Sequence, residues 1–172
     1  MHQMGHINRL ALFAAVIVTA VFLALNSIGE LPEKVATYFT TNGTANRWTT
    51  REDYRLFILL CLTALPSLLV WLMAGLPRLT DGRGQIPDPE YWFAPERRHA
   101  TESFLTRHAF WLGCMTVAIV YGIHVFILRA NSVTPPVLAV DRFITIVVIY
   151  LCGLVWWLAT FLRHFQRLDR HT

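Results

Sequence analysis

The sequence predicts an all-α integral membrane protein with four transmembrane helices and both termini in the cytoplasm. Three observations lead there. Four stretches, residues 10–29, 56–77, 109–128 and 143–162, carry no Asp, Glu, Lys or Arg, and each is 20–22 residues long. A helix needs about 20 residues to cross a hydrocarbon core of roughly 30 Å. Hydrophobic residues make up 55% of the chain, above the about 45–50% usual for soluble domains. The third observation is charge. Arg9, Arg78, Arg83, Arg97, Arg98, Arg107, Arg163, Arg167 and Arg170 flank one side of the spans, while Lys34, Arg47, Arg51, Arg55, Arg129 and Arg142 flank the other. Basic residues accumulate on the cytoplasmic side, so the nine-to-six division places the termini and the middle loop inside.

Within the first span, Leu12–Leu25 reads LFAAVIVTAVFLAL. It lacks the polar face that a surface helix of a soluble protein repeats every 3.6 residues or so. Its apolar run exceeds that of a signal peptide and no clear A-x-A site follows, so an uncleaved helix is expected. Ala11, Ala14, Ala15 and Ala20 permit close helix contact. An external loop, residues 30–55, follows. In the second span Pro66 removes a backbone donor and is expected to kink the helix, with Gly75 and Pro77 ending it.

The segment 78–108 reads as a cytoplasmic loop with a surface helix. Tyr91, Trp92 and Phe93 suit the headgroup region, and Pro95 followed by Glu96 suits a helix start. Nothing breaks the helical pattern from Pro95 to Leu128, 34 residues or about 51 Å. That exceeds a bilayer core, so its first turns must project beyond the core or lie along the surface. Ala100, Phe104, Leu105 and His108 form one apolar side, with Arg97, Arg98 and Arg107 towards lipid phosphates or water. The fourth span, with Ile144–Leu154 reading ITIVVIYLCGL, again lacks a polar face.

Several function classes find no support. The net charge of +4 comes from span flanks facing anionic lipid, and no basic run is long enough to track nucleic acid. No Asp, Glu, Lys or Arg lies mid-span, where pumps and many transporters place one. Cys61, Cys114 and Cys152 all fall within spans, without metal-ligand spacing. His124 has no histidine at its depth in another span, and His6, His99, His108 and His164 lie at or beyond the inner edge, so neither haem nor metal is expected. No G-x-S-x-G, HExxH or P-loop pattern occurs, so no enzymatic activity is expected.

Two loops carry the remaining information. The external one reads ELPEKVATYFTTNGTANRWTTRED, with a turn at Asn42-Gly43 and a short amphipathic element over Val35, Tyr38 and Phe39. Together with Trp48, these residues form either a folded cap resting on the bilayer or a recognition surface for a peptide or a neighbouring subunit. At the cytoplasmic loop, Tyr91, Trp92, Arg97 and Arg98 form either a membrane-surface anchor or a docking site for a partner.

The order Leu31-Pro32, Val35, Tyr38-Phe39, Gly43, Asn46, Trp48, entering a second spanning helix, resembles the N-terminal domain of bacterial SdpI-type membrane proteins. That domain has no assigned function. The similarity covers roughly residues 8–76, and PDPEYWFAPERR resembles the loop after the second helix in short four-helix members. Ala36 stands where a second proline is common, and Tyr38 replaces a histidine. The resemblance implies a bacterial inner-membrane protein concerned with envelope sensing or with immunity to a secreted antimicrobial protein. The alternative expectation is a structural accessory subunit of a larger membrane complex.

Overall fold

A computed structural model describes residues 2–166, with side chains from Asn8 onward. The chain is mostly helical. Helix α1 (His2–Ile28) leads into a hairpin of β1 (Lys34–Phe39) and β2 (Ala45–Thr50), and α2 (Arg51–Val70) follows directly. A π-helical turn, Trp71–Gly75, joins α2 to α3 (Leu76–Thr80), and the short α4 (Pro89–Trp92) precedes α5 (Pro95–Asn131) and α6 (Val140–Phe165). Four helical segments are long and apolar enough to cross a membrane: Asn8–Ile28, Arg51–Thr80, Pro95–Asn131 and Val140–Phe165. These are the four expected spans. Arg167 and Arg170 lie outside the described residues, as does the side chain of His6.

The all-α expectation is corrected in the first loop, where β1 and β2 pair antiparallel. Their residues explain it. Val, Thr, Tyr, Phe and Trp flank an Asn-Gly turn, and such residues favour a pleated, half-buried ribbon. Register shifts around Tyr38 mark a bulge.

The second span also differs from its expected bounds. It begins at Arg51 because Thr50 caps it: the Thr50 hydroxyl accepts from the Asp53 N–H at 3.1 Å and donates to the Asp53 carboxylate at 2.7 Å. Glu52 and Asp53 then complement the positive end of the helix dipole. The helix runs through Pro66 and does not stop at Gly75 or Pro77. Pro77 falls in the first turn of α3, where a missing N–H costs little, and the chain turns only at Asp81, whose φ is 51°.

Helices α1, α2 and α5 form the core. Ala20, Ala24, Tyr54, Ile58, Leu62 and Val117 are buried between them, capped by Leu31 and Val35 from the hairpin segment. Packing is tight at Gly113. A Cβ there would lie 2.7 Å from the Phe13 ring and 2.9 Å from Val70, so a side chain on α5 at this point would push one or both neighbours aside. Helix α6 stands to one side, with none of its apolar span buried. It touches α5 through Phe143 on Phe126, 5.6 Å between ring centroids, and through an aromatic group near Phe165.

Candidate functional site at the hairpin end

The elements that shape the hairpin end converge on two polar side chains of α5. His124 is fully buried. Its Nε2 lies 2.9 Å from Ser27 Oγ on α1, and its Nδ1 lies 2.8 Å from the Tyr54 hydroxyl on α2. Donor directions follow from the serine. Its hydroxyl has the carbonyls of Leu23 and Ala24 at 2.9 and 3.0 Å to donate to, which leaves its oxygen to accept from Nε2–H. Nδ1 therefore carries the lone pair and accepts from the Tyr54 O–H. One imidazole thus ties three spans together, and the tyrosine ring stacks beside it at 5.8 Å.

About two turns further along, Asn131 holds the hairpin. Its amide donates to the Ala36 carbonyl at 2.9 Å, and its oxygen accepts the Ala36 N–H at 2.8 Å. The side chain therefore pairs with a β-strand residue as a second strand would. The same amide group also donates to the Ile127 carbonyl within its own helix.

The sequence candidates occupy distinct places around this scaffold. Tyr38 and Trp48 are 56% and 50% exposed, with the Arg47 guanidinium 5.7 Å from the tyrosine ring. Phe39 instead packs partly buried against the core. Asn42 shapes the turn: its side-chain oxygen accepts from the Thr40 hydroxyl and from the Thr44 N–H and hydroxyl. Gly43, at φ 85°, is buried, and its carbonyl accepts from Leu138 N–H at 2.9 Å. A side chain there would collide with the Leu138 carbonyl. The hairpin tip is thereby locked to the loop between α5 and α6, and Thr44 bridges to Val137.

At the opposite end, Tyr91, Trp92, Arg97 and Arg98 do come together, but mostly on one another and on protein neighbours. Arg97 sits 4.0 Å over the Tyr91 ring. Arg98 pairs with Asp81 at 2.9 Å and Glu102 at 3.0 Å, and Arg78 approaches Glu102 at 3.6 Å. Trp92 packs on His164 and Phe165, and Phe93 is buried. The expected surface helix is thus the first part of one continuous helix, α5, projecting past the apolar span. Its Arg98 is turned to carboxylates of the same chain rather than to lipid. His108 and His164 both pack on Phe104, at 4.2 and 3.7 Å between centroids. Among the described residues, no three His, Cys, Asp or Glu side chains converge to hold a metal ion.

Sequence reasoning missed Ser27, Tyr54, His124 and Asn131 as a group. The available signal was depth: Ser27, Tyr54 and His124 each lie near the same end of their spans. No protein-family model matches the chain, and no curated protein or solved structure matches it either.

Proposed function

We propose that this chain is a non-enzymatic bacterial inner-membrane protein of the SdpI-related kind, with both termini cytoplasmic, which recognises a peptide or protein at the envelope through its hairpin. One observation carries the reading: Tyr38 and Trp48 stand exposed on a ribbon whose remaining anchors are all satisfied internally. Exposed aromatics on a rigid support are the kind of residue that dominates binding energy at recognition surfaces. The imidazole at His124 supports the non-enzymatic part, since both its nitrogens are engaged and the Ser27 proton is directed to a backbone carbonyl.

A second reading, an accessory subunit packed against a larger complex, draws on α6, whose apolar span is unburied. One experiment separates the two. The full chain and a Y38A/W48A variant are purified from cells in mild detergent, and associated proteins and protection phenotype are compared. Recognition predicts that the variant inserts normally but loses its partner or its protection, with a binding loss of about 2 kcal/mol or more per aromatic. A stoichiometric large complex that both forms retain equally would select the subunit reading.

A further inference from the structure

Helices α1 and α5 run in the same direction, because both reach the hairpin end at their C-terminal turns, where Ser27 meets His124. At the other end, Arg9 from α1 and Arg107 from α5 both line a cavity of about 400 Å³. Phe13, Phe110 and Trp111 line it, with the first two rings 5.4 Å apart. A second hollow of about 360 Å³ continues towards the hairpin between Ala15, Thr19, Ala118 and Tyr121. The lining positions are 9, 12, 13, 15, 16, 19, 20 and 23 on α1, and 107, 110, 111, 114, 117, 118 and 121 on α5. Their helical recurrence keeps each set on one side of its helix, so the two hollows lie in succession along the same pair of helices.

We propose that these hollows together bind an anionic glycerophospholipid, whose phosphate is held by Arg9 and Arg107 and one of whose acyl chains lies along the apolar floor. Charge is the first argument. Arg78 and Arg98 at the same end are matched by Glu102 and Asp81, whereas among the described residues no carboxylate pairs with Arg9 or Arg107. The Arg107 guanidinium also lies 5.7 Å from the Phe104 ring centroid. Guanidinium groups match phosphate oxygens in a fork geometry. A zwitterionic headgroup would bring its own ammonium towards the two arginines, which selects a net-negative lipid.

Depth is the second argument. One leaflet of the core is about 15 Å, or roughly ten helical residues. Counted from Arg9, that distance ends near Thr19, at the start of the second hollow. Trp111, 63% exposed and one turn beyond Arg107, lies where indoles settle between headgroups and chains.

The inference rests on the membrane-spanning character of the helices and not on the recognition role of the hairpin. To test it, the full chain in mild detergent is titrated with phosphatidylglycerol or phosphatidylcholine while thermal unfolding is followed, and retained lipid is counted by native mass spectrometry. Phosphatidylglycerol should raise the unfolding temperature and remain bound, and phosphatidylcholine should do neither. At about a factor of five per arginine, R9Q/R107Q should lower retention about twenty-five-fold. An R83Q/R163Q control, which removes two charges elsewhere at the same end, should retain the lipid as the parent does. Equal response of the parent protein to both lipids would overturn the proposal whatever the variants do, and so would equal loss in the control.

Discussion

At the hairpin end, α1, α2 and α5 meet on one imidazole and the hairpin hangs on one amide, both without formal charge. At the opposite end, the helices are joined by Arg78, Arg98, Asp81 and Glu102 and by rings packed around Phe104. The first set includes a fully buried histidine, while the ion-paired side chains are 25–55% exposed. The contrast follows from solvent access. Within the apolar spans an unpaired polar group is costly, so few are used, and those that join the helices at the hairpin end are paired. Beyond them, charges are affordable and individually weak. The hairpin end should therefore be rigid and insensitive to salt, and the other end adjustable.

The largest expected effect is at His124. Replacing it with alanine opens a cavity and leaves the Tyr54 hydroxyl buried without a partner, a loss of about 3–5 kcal/mol. Unfolding in mixed micelles measures it. The control sharpens the point: in an H124L background, Y54F should recover about 1–2 kcal/mol, because the orphaned donor goes with it. If H124A costs under about 1 kcal/mol, the neutral end is not the stronger one.

Next comes Gly43→Val, which forces a β-branched residue to φ 85° and into the Leu138 carbonyl. A loss of about 2–3 kcal/mol is expected, confined to the tip. Hydrogen exchange at the Leu138 amide should accelerate while exchange in the middle of α2 stays unchanged. The smallest effect belongs to Arg98→Gln, a slight loss of stability that should shrink further as salt rises. A larger, salt-independent loss there would erase the distinction between the ends.

The spans were legible because bilayer thickness dictates the length of an uncharged run, and the chain obeys it four times. Helix ends were less so. The Thr50 cap starts α2 five residues before the uncharged run, and the π-turn carries it past Gly75 and Pro77. The strands were half legible: Asn42-Gly43 was read as a turn, but its flanks were not paired into a ribbon. In the sequence His124 is a histidine with no histidine opposite, which is true and misleading. Its partners are a serine 97 residues away and a tyrosine 70 away, and pairing over such separations is set by packing. Asn26-Ser27 and Asn131-Ser132 look like an echo in sequence, yet their roles differ. Ser27 accepts from His124, Asn131 grips Ala36, and Ser132 only donates to the Arg129 carbonyl of its own helix end.

The grip of Asn131 on Ala36 also has a consequence for the order of events during synthesis. The hairpin leaves the ribosome with α1 and α2, but the amide that completes its edge lies 95 residues further along. So does most of what Tyr54 needs, since its hydroxyl partner is on the third span. A nascent chain with two inserted helices therefore exposes an unfinished ribbon edge and an unpartnered phenol at the membrane. Both are closed by the arrival of one helix, α5, which carries Asn131 and His124 alike.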